Sequence, residues 1–291
     1  MLTLSFALST LAIGVVYAVL ALAVVFVYRA SRVLVFCVGE IGAVAAYVLR
    51  DGWVIAGTGV QGFLVGVAAA LAVAALIGAA LYLLVERLNP GGDHFIGTIL
   101  TVAAGVVLLG LLAAGWGGEI SRLPIRLGFT TIAGTRVPVL TLTVIAIGAV
   151  LLTLVLALLR HSDFGIESQA LSSNRGLAYL RGIPVNRRLL SIWVLAAVFS
   201  AIGGMLSAAF SSVSIEGASV GLSGIVAAII GGLTNPAGAV LGAFLLALAE
   251  NLTTAWFDAR YSQVVPILSL LALLIVRPRG IGNRVESIER V

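Results

Sequence analysis

Long stretches without a single charged residue are the feature that most constrains the fold of this chain. Of its 291 residues, 61% are hydrophobic and 10% are charged, against about 25% charged in an ordinary soluble domain. A soluble domain could not bury so much apolar surface in one core. Because a helix needs roughly 20 apolar residues to cross a bilayer, the sequence predicts an all-α, polytopic bundle of transmembrane helices. The uncharged stretches are 1–28, 52–85, 95–118, 137–159, 189–215, 217–249 and 261–276.

These stretches divide into nine predicted crossings within one transmembrane domain, 1–291, and we expect eight to ten spans. The segments 33–49, 218–234 and 263–276 are short, and a short segment can be a broken or re-entrant helix that its neighbours bury. The first stretch has no basic residue before it, so we expect a retained span rather than a signal peptide. The nine crossings are 4–28, 33–49, 62–85, 95–115, 137–159, 190–212, 218–234, 236–256 and 263–276.

Arginine supplies all seventeen basic residues, and its distribution predicts the orientation of the chain. With the polar loop at about 160–189 placed in the cytoplasm, twelve arginines fall inside and five outside. This agrees with the positive-inside rule, with the N-terminus outside and the C-terminus cytoplasmic. The loop 116–136 carries three of the outside arginines. It is either a plain connection or a surface for a soluble extracytoplasmic partner.

The composition excludes several kinds of chemistry. Without lysine the chain has no P-loop to bind ATP and no amine for Schiff-base catalysis. The two histidines, His94 and His161, and the one cysteine, Cys37, are too few for an ordinary zinc site. We therefore expect no catalytic residue, no metal and no cofactor in this chain. Nucleic acid is not an expected partner, because the arginines lie in short loops between helices.

Within the polar loop 160–189 the sequence predicts a short helix from Gln169 to Arg181. Gly182 follows and is expected to end this helix, with Pro184 just beyond. The residues alone leave two interpretations open. The helix either anchors the loop at the membrane surface or docks a cytoplasmic subunit.

Two carboxylates fall inside predicted crossings, where a charge costs about 2.5 kcal/mol or more. Glu40 is either favoured by the N-terminus of its own helix or part of a translocation pathway. For Glu250 we favour a hydrogen bond to a neighbouring helix. Gly231 and Gly232 interrupt the stretch 217–249, which predicts either a tight turn or a route-lining break. A faint likeness between 39–66 and 217–242 is compatible with internal duplication.

Three groups of residues match the spacing found in one family of membrane proteins. In the polar loop the family pattern is G-x-x-x-R-A-x-x-x-N-x-x-x-A-x-x-x-G-I-N, and Gln169 and Pro184 replace its Arg and last Asn. At the start of the second crossing the pattern N-F-A-H-G-E keeps only its Phe, Gly and Glu. The matching residues are Gly165, Ala170, Asn174, Ala178, Gly182 and Ile183 in the loop, and Phe36, Gly39 and Glu40 in the second crossing.

The third match is near the C-terminus, where small residues follow the order G-x-K-A-F-x-A-A-V-x-G-G-x-G-x-x-x-G-A-x-x-G-G. Gly221, Gly231 and Gly232 fit this order, Ser223 replaces the Lys, and Glu250 follows. On these three matches the chain resembles the permease subunits of bacterial ABC importers for branched-chain amino acids. The likeness extends over most of the chain.

The resemblance implies a fold, a role and a set of partners. The loop residues from Gly165 to Ile183 would couple the chain to cytoplasmic subunits that bind and hydrolyse ATP. A second, related permease subunit and an extracytoplasmic solute-binding protein would complete the assembly in the bacterial inner membrane. The translocation pathway would involve Phe36, Gly39, Glu40, Gly231, Gly232 and Glu250. The solute would be a branched-chain amino acid or a related small molecule such as urea or an amide.

Two other functions remain open from the residues alone. A self-sufficient secondary transporter would need an intramembrane carboxylate to bind its coupling ion or proton, and Glu40 and Glu250 are candidates. Such a carrier does not need a docking loop, so residues 165–183 favour the importer. A membrane enzyme is disfavoured, because no grouping of His, Asp and Ser or of metal ligands is apparent.

Overall fold

A computed structural model describes residues 2–57, 59–87, 89, 93–117, 119–125, 128–132, 134–173 and 175–276. Within these residues the chain is a bundle of α-helices, as predicted, with one two-stranded antiparallel hairpin. A π-helical turn at Leu83–Arg87 extends the third helix, and a 3-10 turn at Ile215–Ser219 precedes the ninth. The elements are α1 (Leu2–Ser31), α2 (Val38–Ile55), α3 (Val60–Tyr82), α4 (His94–Trp116), β1 (Phe129–Ile132), β2 (Thr135–Pro138), α5 (Val139–His161), α6 (Asp163–Ser173), α7 (Arg175–Leu180), α8 (Val185–Phe210), α9 (Val220–Gly231), α10 (Pro236–Trp256), α11 (Ala259–Ser262) and α12 (Val265–Val276).

The first helix of the chain lies at the centre of the bundle. Every side chain of α1 from 15 to 27 is buried, and α5, α8, α9 and α10 all pack against this helix. A helix that is apolar on every side is stable only where protein or lipid surrounds it on every side. In α1 that surrounding is protein, so this helix is the core around which the others are arranged.

Six helices within the described residues are long and apolar enough to cross a membrane. They coincide with six of the nine predicted crossings, which confirms the polytopic helical bundle. The remaining three, predicted at 33–49, 218–234 and 263–276, correspond to α2, α9 and α12. These helices are shorter or carry more charge, so the number of spans beyond six and the side of each terminus stay predictions. The six are Leu4–Ser31, Val60–Arg87, His94–Trp116, Val139–Leu159, Val185–Phe210 and Pro236–Trp256.

Two of these shorter helices follow a break in regular structure. Residues 32–37 between α1 and α2 are not helical, so the predicted start of the second crossing at residue 33 is wrong. Arg32 has φ +57°, a left-handed conformation that ends α1. Between α8 and α9, Val213 pairs as an isolated bridge with Ser121 before the 3-10 turn begins. With 12 residues, α9 is about 18 Å long, roughly half the thickness of a bilayer.

The broken helices α2 and α9 meet at their first turns. A methyl group on Gly39 would collide with the carbonyl oxygen of Ala218, and one on Gly221 would collide with the Cα of Gly39. Further along α2, a methyl group on Gly204 of α8 would overlap the backbone of Gly42. Small residues therefore let three backbones approach closely, as is typical of helices packed in lipid.

Candidate functional site

The break between α1 and α2 is stabilised by two threonines of α4. The hydroxyl of Thr101 accepts the backbone N–H of Phe36 at 3.2 Å, and its single proton is shared between the carbonyl oxygens of Leu34 at 3.0 Å and Thr98 at 2.8 Å. The hydroxyl of Thr98 accepts the N–H of Leu34 at 3.3 Å. Backbone without helical hydrogen bonds is tolerated at membrane depth only where other groups satisfy it. Thr98 and Thr101 provide such hydrogen bonds to the backbone of Leu34 and Phe36, within the segment 32–37.

The start of α2 lies near the middle of the bundle, beside the midpoint of α4. A methyl group on Gly105 would lie 3.4 Å from the carboxyl carbon of Glu40 and 3.4 Å from the Cβ of Cys37. Gly105 is eleven residues from either end of α4, or about 16 Å along its axis. Glu40 is in the first turn of α2, where the helix dipole favours a negative charge.

Phe36 and Gly39 flank Glu40 in this central region. The side chain of Phe36 is 38% exposed, although it belongs to the break between two helices. Gly39 is buried against the turn that leads into α9. The structure thus brings together Phe36, Gly39 and Glu40, which the sequence had placed in the second crossing, and adds the first turn of α9.

Glu250 is buried in α10 and is held by hydroxyl groups of two other helices. Tyr17 of α1 donates a hydrogen bond to Oε2 at 2.5 Å, and Ser223 of α9 donates to Oε1 at 3.3 Å. The hydrogen bond to a neighbouring helix that the sequence favoured for Glu250 is confirmed. Tyr17 was not anticipated, although a tyrosine within an uncharged stretch of 28 residues is itself a signal, because a buried phenol needs a polar partner.

Gly231 and Gly232 form the tight turn between α9 and α10. Gly232 has φ +100°, which favours glycine, and the carbonyl oxygen of Gly238 lies where a Cβ of Gly231 would be. Asn235 caps α10 by accepting the backbone N–H groups of Ala237 and Gly238, both at 3.1 Å. The break is therefore a tight turn at the opposite end of α9 from Gly39, and its role in lining the route stays a prediction.

The structure describes two helical segments in the polar loop, one on either side of residue 174, and the helix begins before the predicted start at Gln169. The first, α6, begins at Asp163, and the second, α7, runs from Arg175 to Leu180. Gly165 lies in the first turn of α6, where a side chain would collide with the carbonyl oxygen of Leu159. This close approach, which sequence spacing does not show, folds α6 back against the end of α5. Asn174 lies outside the described residues.

The predicted end of the loop helix is confirmed at Gly182. Its φ of +81° places it in the left-handed conformation that ends many helices. The N–H of Ile183 then bonds to the carbonyl oxygen of Ala178 at 3.1 Å, and Ile183 packs partly buried against the core. The chain turns here from α7 into α8.

The two loop helices divide their side chains between the core and the surface. Leu171 and Ala178 are 2% and 3% exposed and belong to the main hydrophobic core, with Ala170 packed partly buried beside them. On the outer side, Leu177, Tyr179 and Leu180 are 60%, 72% and 80% exposed. We call these three residues the apolar face of α7.

An ion pair fixes α6 to the first turn of α8. The guanidinium of Arg188 bonds to the carboxylate of Glu167 and lies 5.7 Å from the ring centroid of Phe164. The loop is therefore attached to the bundle by apolar packing and by charge, so its apolar face is presented on a rigid support.

These features define a class of protein, a multi-pass helical membrane protein with interrupted central helices and an apolar helix exposed on a polar loop. The model of one family, described as branched-chain amino acid transport system / permease component, matches residues 6–274. Since the match covers most of the chain, the chain belongs to this family. It is a transporter permease of the inner membrane and not an enzyme in itself.

Curated relatives agree with this family over their whole length. The high-affinity branched-chain amino acid permease LivH of Escherichia coli K12 is 25% identical over 299 residues, which cover 96% of this chain and 94% of LivH. The corresponding permease BraD of Pseudomonas aeruginosa PAO1 is 24% identical over 294 residues, 97% of this chain and 95% of BraD. PsaBC from Streptococcus pneumoniae, solved in complex with Fab, is similar in fold, with a TM-score of 0.51 and 13% identity over 96% of this chain and 94% of that one.

Proposed function

We propose that this chain is the membrane-spanning subunit of an importer that carries an aliphatic amino acid, or a related small solute, using ATP hydrolysed by separate cytoplasmic subunits. The observation that carries this proposal is the apolar face of α7, which is 60–80% exposed on an otherwise polar loop. Exposed apolar side chains grouped on a small helix are typical of a protein–protein contact. Membership of the permease family supports a cytoplasmic ATP-hydrolysing subunit as the partner in this contact.

The loop is built to transmit movement from such a partner into the bundle. Leu171 and Ala178 pack into the core, and Arg188 pairs with Glu167. A partner that pulls on α7 therefore displaces the start of α8 and the end of α1, against which α6 also packs. Because close-packed interiors deform little, this displacement reaches the middle of the bundle rather than dissipating in the loop.

The pathway that this movement opens is proposed to pass the meeting point of α2 and α9. Phe36, Gly39 and Glu40 lie at that point, and Glu250 lies one hydrogen bond from Ser223, in the first turn of α9. Discontinuous helices at mid-membrane are common at the solute sites of transporters. Gly231 and Gly232 would set the position of α9 relative to α10 without meeting the solute.

Further partners follow from the family. A second permease subunit would pack beside this one, and a soluble receptor would deliver the solute to the outer loops. The described part of the loop 116–136 exposes Ile120 and Phe129, 72% and 74% accessible, and is tied to the bundle through Ser121 and Val213. This loop is a candidate contact for the receptor.

The test uses two substitutions that place charge on the apolar face of α7, Leu177→Asp with Leu180→Asp. We expect the variant to lose co-purification of the ATP-binding subunit and at least 90% of solute uptake, with unchanged thermal stability, because both side chains are exposed. Ile120→Asp is the matched control, because Ile120 is an equally exposed aliphatic residue outside the polar loop 160–189. This variant should retain the ATP-binding subunit.

A second comparison separates docking from folding. Ala178→Asp would bury a carboxylate in the core and is expected to lower the unfolding temperature as well as uptake. If the double variant on α7 keeps a full complement of ATP-binding subunit, the docking role is wrong. Solute uptake driven by an ion gradient alone would instead support the secondary transporter, with Glu40 and Glu250 as the groups to test.

A further inference from the structure

A cavity of about 310 Å³ lies between the first half of α1, the start of α5 and the end of α8. It extends along α1 from Ser9 to Tyr17 and is also lined by Val220, the first residue of α9. Eight residues of helix correspond to about 12 Å, so the cavity reaches well into the bundle from the end at which α1 begins.

The lining of this cavity combines apolar surface with hydroxyl groups. Hydroxyls come from all three helices, including Ser9, Tyr17, Thr141 and Ser207, and the remaining lining is apolar, with no charged side chain. Among the described residues, Thr141 and Ser207 have no hydrogen-bond partner for their hydroxyls. A hydroxyl can both donate and accept, so such a lining suits a net-neutral solute with an aliphatic body.

The size of the cavity sets an upper limit on its occupant. Ligand cavities range from about 300 to 1,000 Å³, so this one is at the small end and fits one small molecule. An amino acid with an aliphatic side chain is small enough for this cavity and suits its lining. Its ammonium and carboxylate can bond to the hydroxyls while the side chain contacts Ile13 and Val16.

Tyr17 closes the inner end of the cavity. Its ring contributes to the lining, while its hydroxyl bonds to Glu250 at 2.5 Å, and Glu250 bonds in turn to Ser223 of α9. A solute in the cavity is therefore separated from the meeting point of α2 and α9 by a hydrogen-bonded side chain. Moving inward requires Tyr17 to leave Glu250 or α9 to shift.

We propose that this cavity, at the end of the bundle where α1 begins and so on the predicted outer side, is a binding site contained within one subunit for a small net-neutral solute with an aliphatic side chain, and that Tyr17 closes it at its inner end. The inference rests on the proposed importer function. It adds a location within the subunit and a closing residue. The competing occupant is a lipid acyl chain, because the cavity lies between transmembrane helices.

Cysteine labelling of the intact transporter in membranes tests the site. The single native cysteine, Cys37, is fully buried, so Ser207→Cys introduces one reactive position into the cavity. We expect a charged, membrane-impermeant thiosulfonate to modify it, and 1 mM L-leucine, L-isoleucine or L-valine to slow the reaction at least fivefold. L-Glutamate and L-lysine should give no protection, because no charged side chain lines the cavity.

Val106→Cys provides the matched control on α4, where Val106 is 65% exposed on the outside of the bundle. A lipid-soluble maleimide should modify both variants, and the impermeant reagent only Ser207→Cys. If only the maleimide modifies Ser207→Cys, lipid fills the cavity and the proposal is wrong. If the impermeant reagent reacts but no aliphatic amino acid slows it, the cavity is a water-filled vestibule and not a binding site.

Uptake measured on the same membranes keeps this inference distinct from the proposed function. ATP-dependent uptake of an aliphatic amino acid by the unmodified transporter, without protection of Ser207→Cys, overturns the site and leaves the importer standing. Ser207→Leu, which fills the cavity, should lower uptake at least tenfold, whereas Val106→Leu, which enlarges an exposed side chain of α4 outside the cavity lining, should stay within twofold of the native protein. Equal uptake by both variants would also overturn the site.

Discussion

At the scale of single residues, the most informative group is the carboxylate of Glu250. A charge inside the membrane is costly, and here it is offset by hydroxyl donors from Tyr17 and Ser223 at 2.5 and 3.3 Å. In the family pattern that the sequence resembles, position 223 is a lysine, which could form an ion pair with this carboxylate. The present chain instead satisfies Glu250 with two hydroxyl groups, which join α1, α9 and α10.

Tyr17→Phe tests the contribution of that hydrogen bond. The variant keeps the ring but leaves Glu250 with a single donor, so we expect a loss of about 1–3 kcal/mol of stability, seen as a lower unfolding temperature in detergent. Tyr261→Phe, at a side chain that is 61% exposed, is the control and should not change stability. Equal unfolding temperatures for both variants would contradict the role given to Tyr17.

Glycine contacts between helices give a second residue-scale prediction. At Gly204 an added methyl group would overlap the backbone of Gly42, whereas at Gly110 nothing lies within 4 Å. Gly204→Ala should therefore destabilise the protein by about 1–3 kcal/mol, the usual cost of overpacking. Gly110→Ala should be neutral or slightly stabilising, since alanine is the better helix former. Thermal unfolding in detergent compares the two, and a neutral Gly204→Ala would rule out the close contact.

At the scale of elements, the break before α2 depends on a helix more than 60 residues away in sequence. Thr101 is fully buried and bonds to both the N–H of Phe36 and the carbonyl oxygen of Leu34. Within the segment 32–37, the backbone groups of Leu34 and Phe36 are therefore bonded by threonines of α4 and not by a helix of their own.

Thr101→Val should release this segment. The two side chains have nearly the same shape, but valine leaves the N–H of Phe36 without its acceptor, at about 1–3 kcal/mol. We expect faster hydrogen exchange in residues 32–37 and a lower unfolding temperature, with both effects largely reversed in Thr101→Ser, which keeps the hydroxyl. Unchanged exchange in Thr101→Val would mean that the segment is held by other contacts.

Elements could be predicted from the sequence where the signal is local. The six long apolar helices have lengths and compositions that allow no other interpretation, and Gly182 ended its helix as expected because the left-handed conformation favours glycine. The start of α2 was misplaced, because the threonines that replace its first helical hydrogen bonds belong to α4. The start of the loop helix at Asp163, before the predicted Gln169, was also missed, since the close approach of Gly165 to the backbone of Leu159 has no signal in residue spacing.

At the scale of the whole molecule, the arrangement of the helices could not be read from apolar composition. The helices α1 and α4 are both long and uncharged through their centres. Yet 89% of the most apolar 18-residue segment of α1 is buried within the protein, against 22% of the corresponding segment of α4. Lipid and protein interior favour the same residues. Which helix occupies the centre is decided by small residues in contact, such as Gly203 and Gly224 against Leu20 of α1, and single-sequence patterns do not reveal such pairs.

The candidate site, too, could be predicted only in part from the sequence. Glu40 was recognisable because a carboxylate is unusual in an apolar stretch, whereas Phe36 and Gly39 were indicated only by the family pattern that the sequence resembles. Their proximity to the first turn of α9, and the presence of Tyr17 beside Glu250, depend on the fold of the complete bundle. The loop helices were recognisable by their polarity, but only the structure separates the buried Ala178 from the exposed Leu180.

The central claim is that this chain moves its solute with energy from ATP hydrolysed by another subunit. The most direct measurement is uptake of radiolabelled L-leucine, L-isoleucine and L-valine into membrane vesicles that contain this chain with its second permease, its receptor and its ATP-binding subunits. The account predicts uptake that requires hydrolysable ATP, and that is lost when the ATP-binding subunits are omitted or their catalytic residues replaced. Undiminished uptake without those subunits, sustained by an ion gradient, would contradict it.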